Sequence, residues 1–168
     1  MAEPDLINYS TELLPLLRRA NDYREGLIYI LRVQPANFYA VANFNLKVEP
    51  HWCRNKFQLF DLALSRALLG RRWSRRIAAD RPFWIAVPER ATFLHFNMLW
   101  QVPSQYCDQF VLEGPVIWRK IVPSGELYVR SLGSTPEDRV RVAAYCTKAF
   151  HPRWTLDNLV TSSEVRRK

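Results

Sequence analysis

Near the end of the chain, Glu137 to Lys148 reads E-D-R-V-R-V-A-A-Y-C-T-K. This spacing predicts a helix that carries Tyr145 and Lys148 three residues apart. Residues at i and i+3 share a helix face, so a phenol and an ammonium group can serve one reacting centre. Upstream, F-L-H-F-N-M-L-W places His95 and Asn97 two residues apart. A strand there points both to one side. Glu89 ends the preceding apolar run, and a hairpin brings it near His95 and Asn97. A carboxylate, an imidazole and an amide oxygen form a mixed O/N set that suits Mg²⁺ or Mn²⁺. An ion held there polarises a phosphate oxygen as a Lewis acid. The combination predicts metal-assisted attack of a tyrosine on a phosphodiester.

Each residue also has a plainer role. A lone histidine in an apolar strand is usually a hydrogen-bonded structural residue, and Asn97 and Glu89 alone say less. Tyr145 alone reads as a packing ring with its hydroxyl at the rim, and Lys148 alone as a solvated helical lysine. The signal lies in the ordered set: a strand, a basic connector, a strand ending in Glu, a strand with H-x-N, and a capped helix with Y-x-x-K.

The elements that must position these groups are legible in outline. Asn37 to Val48 is rich in aromatic and β-branched residues and predicts a long strand. Phe57, Phe60, Leu64, Ala67 and Leu68 have helical spacing, which predicts a helix over Cys53 to Leu69 with Gly70 as its stop. Phe83 to Val87 and Thr92 to Val102 read as two strands joined by a turn, and Pro103 ends the second. Asp108 to Ile121 reads as a helix despite Pro115, and Glu126 to Leu132 as a strand. Ser134-Thr135-Pro136-Glu137-Asp138 is a helix start, with a hydroxyl N-cap, Pro at the first position and acids in the first turn. This order implies an α+β fold, an antiparallel sheet covered by helices. Residues 1–36 read as an N-terminal extension, a helical arm or an added strand, and 37–168 as the main domain with a short C-terminal tail. The apolar piece from Leu13 to Leu17 is interrupted by Pro15.

With 168 residues the chain fits one domain. Its net charge of +8 and pI of about 9.8 favour a polyanionic partner, nucleic acid before an anionic membrane surface. No apolar run has the length of a membrane span, and the acidic start M-A-E-P-D-L has no secretory pattern, so the expected compartment is the cytoplasm. Three widely spaced cysteines, Cys53, Cys107 and Cys146, contain no C-x-x-C, which argues against a zinc knuckle and for free thiols. No G-x-x-x-x-G-K-[ST] loop is present, so neither a nucleotide cofactor nor a helicase engine is expected.

The ordered set resembles the HUH endonuclease superfamily, and most of all the single-tyrosine rolling-circle replication initiators of bacterial plasmids and phages. F-Y-A-V-A-N-F-N, Phe38 to Asn45, is similar to the family's first motif. H-F-N, His95 to Asn97, stands where the family has His-hydrophobic-His, and Y-C-T-K, Tyr145 to Lys148, matches its tyrosine helix. The resemblance spans residues 37 to 150. Asn97 replaces the expected second histidine; family variants with His-hydrophobic-Gln show an amide oxygen in that role. The resemblance implies that Tyr145 attacks a single-stranded DNA phosphodiester, aided by a divalent metal held by His95, Asn97 and Glu89. It implies a 5′-phosphotyrosyl enzyme, a free 3′-OH and rejoining by reversal. A phenol with a pKa of about 10 is a poor nucleophile at neutral pH; the metal and Lys148 would stabilise the developing charge.

Arg71, Arg72, Arg75 and Arg76 flank Trp73, a pattern that suits phosphate pairing with base stacking; a solvated connector with Trp73 packed inward reads equally well. Arg139 and Arg141 add basic sites on the tyrosine helix. The C-terminal Arg166-Arg167-Lys168 reads as a frayed, solubilising tail. Two rival functions stand beside the nicking enzyme: a non-catalytic DNA-binding descendant of the same fold, and a basic α+β interaction protein with no DNA role.

Overall fold

Period-two alternation of side chains builds the centre of the protein. In the computed structural model, which describes residues 23–133 and 135–166, five strands form one sheet. They are β1 (Phe38–Asn43), β2 (Phe83–Glu89), β3 (His95–Gln101), β4 (Glu126–Ser131) and β5 (Val160–Thr161), in the spatial order β4-β1-β3-β2-β5. Every pairing is antiparallel. The α-helices among the described residues are α1 (Tyr23–Val33), α2 (Pro50–Leu69), α3 (Cys107–Ile121), α4 (Pro136–Cys146), α5 (Pro152–Asn158) and α6 (Ser162–Val165). The fold is α+β, as the pattern of elements predicts.

One sheet face carries Phe38, Ala40, Ala42, Trp84, Ala86, Phe96, Met98 and Trp100 and packs on α2 and α3. Ala40 and Ala42 are small, which leaves room for large rings from the helices. Phe57, Phe60, Phe110 and Trp118 fill it, and Phe57 sits 4.9 Å from Phe96 and Trp100 4.8 Å from Phe110, centroid to centroid. Fully burying an apolar side chain of this size stabilises by roughly 1.5–3 kcal/mol, so this aromatic layer is the main anchor of the sheet. The other face is thinner. Tyr39, Ile85, Val87 and Leu99 meet Leu27, Ile30 and Leu31 of α1 and Val142, Ala143 and Cys146 of α4.

Several local expectations shift. The strand expected over Asn37 to Val48 ends at Asn43. Asn45 turns the chain with φ 55°, a conformation that Asn tolerates, and its Nδ2 donates to the Ser124 carbonyl at 2.9 Å. Helix α2 then begins at Pro50 rather than Cys53, because proline suits the first helical position. Gly70 stops it as expected, at φ 80°, with its N–H donating to the Arg66 carbonyl at 3.0 Å. The strand expected from Thr92 begins at His95. Helix α4 starts on Thr135, whose Oγ1 accepts from the Asp138 N–H, but it ends at Cys146, so Lys148 lies in the turn beyond it.

The N-terminal boundary also moves. Tyr23–Val33 is a helix, not an added strand, and its Leu27, Ile30 and Leu31 are core residues; this part of 1–36 is integral to the domain. The Leu13–Leu17 piece lies outside the described residues. The C-terminal tail is not frayed at Arg166. Its guanidinium binds Asp61 through two 2.7 Å hydrogen bonds and donates to the Pro82 carbonyl at 2.8 Å. Asp61 is buried on α2 and also accepts from Trp84 Nε1 at 2.8 Å. Arg167 and Lys168 lie outside the described residues.

Candidate functional site

The β2–β3 hairpin sets the centre of the site. Its register places Glu89 opposite His95 and Val87 opposite Asn97. All four side chains project to the thinner sheet face, beside α4. Glu89 is the hub. Its Oε2 accepts from Asn97 Nδ2 at 2.8 Å and lies 3.2 Å from His95 Nε2, while its Oε1 lies 3.2 Å from Lys148 Nζ. Burial opposes ionisation of Glu89. The hydrogen bonds from Asn97 and Lys148 and the charges of His95 and Lys148 outweigh it, so the carboxyl is held below its ordinary range.

Tyr145 comes to the same place from α4. Lys148 Nζ lies 4.0 Å from the centre of the Tyr145 ring, so the ammonium bridges the phenol ring and Glu89. A turn rather than a helix face makes this pair: the Lys148 N–H donates to the Tyr145 carbonyl at 3.2 Å. Arg24 of α1 holds the turn, donating from Nε to the Thr147 carbonyl at 3.1 Å. A cation there also complements the helix C-terminus. Interaction with Tyr145 raises the Lys148 pKa; burial opposes this, and the hydrogen bond and charge of Glu89 add to the rise. Lys148 is therefore a cation at neutral pH, suited to stabilising negative charge and not to accepting a proton.

Sequence reasoning missed Tyr39. It lies on β1 opposite Leu99 and Arg130, and its hydroxyl donates to Asn97 Oδ1 at 2.6 Å. Its ring meets Tyr145 edge-on with centroids 6.1 Å apart, and Arg130 sits 5.0 Å above it. Tyr39 lies inside the F-Y-A-V-A-N motif, but only the strand register shows that it touches Asn97. Burial pushes its pKa well up, helped by Cys146 and Tyr145. Tyr39 thus stays protonated as a donor, while Tyr145 is 49% exposed. That contrast picks out Tyr145 as the phenol open to a substrate. Burial likewise pushes the neighbouring Cys146 thiol up to about 12, which removes it as a nucleophile.

Asn97 takes a different position from the ligand expected of it. Glu89 is an acceptor when ionised, so the Asn97 amide must turn Nδ2 toward it and Oδ1 toward Tyr39. Both polar ends of a side chain only 1% exposed are engaged. Glu89 and His95 remain as converging donors, and 3.2 Å suits two ligands on adjacent positions of an ion bound at about 2.1 Å. His95 Nδ1 lies 3.4 Å from the Phe93 carbonyl, the kind of outer partner that leaves Nε2 free to bind a metal. Among the described residues no group of three His, Cys, Asp or Glu side chains forms a metal cluster. The donor set fits an ion that keeps several waters, such as Mg²⁺ or Mn²⁺.

The basic residues divide. Trp73 packs against the aromatic core, and Arg166, which donates to the Pro82 carbonyl, lies 5.8 Å from its ring. Trp73 thus sits at the start of β2, and Glu89 ends that strand about 20 Å away. Arg71, Arg72, Arg75 and Arg76 are exposed around it, remote from Tyr145. Trp73 is half-buried, with part of its ring against the core and the four arginines in solvent. Arg141 stands one turn before Tyr145 on α4 and pairs with Asp138 at 3.7 Å. Arg139 lies further along, with Tyr29, Arg32, Val33 and Pro136 around one cleft. Arg130 and Arg24 are cations beside the site that the sequence did not single out.

No protein-family profile matches the chain, and no curated protein matches it. Among solved structures, the hypothetical protein ORF119 from Sulfolobus islandicus rod-shaped virus 1 aligns over 74% of this chain and 91% of its own, with 12% sequence identity and a TM-score of 0.47. At that score the likeness carries no argument about function. No helix among the described residues is long and apolar enough to cross a membrane.

Proposed function

We propose that this protein nicks and rejoins single-stranded DNA through a covalent phosphotyrosine at Tyr145. The observation that carries the reading is the Glu89–Lys148–Tyr145 bridge, with His95 on the same carboxylate: an exposed phenol, a fixed cation and a pair of metal-type donors share one sheet face. Tyr145 Oη forms a bond to phosphorus and the P–O3′ bond breaks. The phenol's proton is lost to solvent and the departing O3′ gains one, so the reaction is proton-neutral. The bond energy stays in the phosphotyrosine, and attack by the 3′-OH restores the strand. Lys148 stabilises the phenolate and the charge that grows on the phosphate oxygens. Asn97 and Tyr39 hold Glu89 in place as positioning residues. Glu89 and His95 would hold Mg²⁺ or Mn²⁺, which when bound supplies Lewis-acid polarisation of the phosphate.

This activity belongs to rolling-circle initiators of plasmid or phage type, and Cys53, Cys107 and Cys146, all free thiols, fit a cytoplasmic setting. The engagement of Asn97 Oδ1 by Tyr39 favours one alternative, a descendant that binds DNA without cutting it. Incubation with Mn²⁺ and a mixed pool of single-stranded oligonucleotides separates the two. The nicking reading expects a denaturation-resistant adduct in the wild type and none in Tyr145→Phe, with DNA affinity within about threefold. An adduct that survives in the phenylalanine variant removes Tyr145 from the mechanism.

A further inference from the structure

At the open end of the β2–β3 hairpin a cleft of about 580 Å³ is lined by Lys47, Arg90, Phe93, Trp154 and Asn158 among others. It adjoins the candidate site through the backbone. Arg90 follows Glu89, and Phe93, two residues before His95, faces its imidazole with the carbonyl oxygen. The Arg90 guanidinium stacks over the Trp154 ring at 4.2 Å from the centroid. Phe93 is 42% exposed in the hairpin turn. The contents are two aromatic rings, a guanidinium plane and a lysine, with Glu49 as the acidic member of the lining.

We propose that this cleft holds one unpaired base of the DNA strand, next to the phosphate attacked by Tyr145. The proposal rests on the strand-nicking reading and adds the subsite that fixes which phosphate reaches the phenol. An unpaired base offers a flat π-face, and aromatic rings and arginine planes are what such faces stack on. Lys47 and Arg90 supply charge for the flanking phosphates. A cleft of this volume is in the range of small-ligand sites, and a single base fits it. The elements that form it come from three separate parts of the chain: the segment after β1, the hairpin turn and α5. The cleft is therefore a product of the fold and not of a local motif.

The test uses the full chain with a fluorescein-labelled single-stranded dT 12-mer in EDTA, read by anisotropy, and an abasic scan of the same oligonucleotide. Trp154→Ala should weaken binding by about 5- to 150-fold, the range for one stacked base. Trp154→Phe, which keeps a ring, should retain most of the affinity. In the wild type one abasic position should lose affinity, and that loss should vanish in Trp154→Ala. Thermal melts establish that the variants are folded; should Trp154→Ala not fold, Phe93→Ala carries the same expectation from an exposed position. Binding by the folded variants equal to wild type, or a flat abasic scan, overturns the cleft. If the wild type still forms the Mn²⁺-dependent adduct in that case, the nicking reading stands alone. Trp154-dependent binding without any adduct keeps the cleft and removes the chemistry. No binding to any strand overturns both.

Discussion

Glu89→Ala is the change that reaches most of the site at once. The carboxylate accepts from Asn97 Nδ2 at 2.8 Å and contacts His95 and Lys148 at 3.2 Å each. Asn97 is 1% exposed, so its Nδ2 is left buried without an acceptor. An orphaned buried donor costs about 1–3 kcal/mol. Lys148 is 43% exposed at its side chain, and the lost pair adds at most about 1 kcal/mol. The alanine also relieves the carboxylate of its own burial, which offsets part of this. A net loss of about 2 kcal/mol follows, readable as a lower urea midpoint with unchanged slope. Glu89→Gln keeps one acceptor and the volume, so its loss should be about half as large. Both should abolish the Mn²⁺-dependent adduct. The pH dependence has a definite sign. The Glu89 carboxyl is held below its ordinary range when folded, so its stabilisation is present above about pH 4.5 and is lost as pH falls through the folded value. Stability of the wild type and Glu89→Gln should thus converge in acid. Wild-type midpoints and wild-type adduct yields in Glu89→Ala would refute the hub.

Tyr39→Phe removes the hydroxyl that occupies Asn97 Oδ1. If that amide can serve as a ligand, Mn²⁺ affinity by calorimetry should tighten, and an unchanged titration confines Asn97 to positioning Glu89. Asn97→His should collide with Tyr39 and lose stability, unless combined with Tyr39→Phe, where a second imidazole should raise Mn²⁺ affinity. Binding to single strands should weaken with salt at a log–log slope of about −3 for four phosphate contacts. Replacing Arg71, Arg72, Arg75 and Arg76 together should leave the slope nearly unchanged, whereas replacing Lys47, Arg90, Arg130 and Arg141 should flatten it. Asp61→Ala leaves Trp84 Nε1 without its acceptor and the largely buried Arg166 charge with only the Pro82 carbonyl, and should lower stability by about 3 kcal/mol in denaturant titrations.

The amino-acid sequence by itself determines the central elements and the faces on which His95, Asn97 and Tyr145 stand, but not the place of Lys148, which lies in the turn beyond its helix. Period-two alternation puts His95 and Asn97 on one side of a strand, and Thr135-Pro136 starts the helix that brings Tyr145. These are local matters: propensity, capping and periodicity act within a few residues. Helix ends were less legible. Pro50 and the early stop at Cys146 depend on where the chain must turn to pack, which no single window contains. Tertiary structure alone decided who touches whom. Tyr39 meets Asn97 because β1 pairs with β3 in one register, and Lys148 meets Glu89 because α4 lies across that face of the sheet. The composition of the basic connector is local and says nothing of its distance from Glu89, which is set by β2 running between the two. Arg166 looked like a solvated terminus because its partner, Asp61, is distant in sequence. Contacts between residues far apart in the chain are fixed by strand order and register, and those are properties of the whole fold.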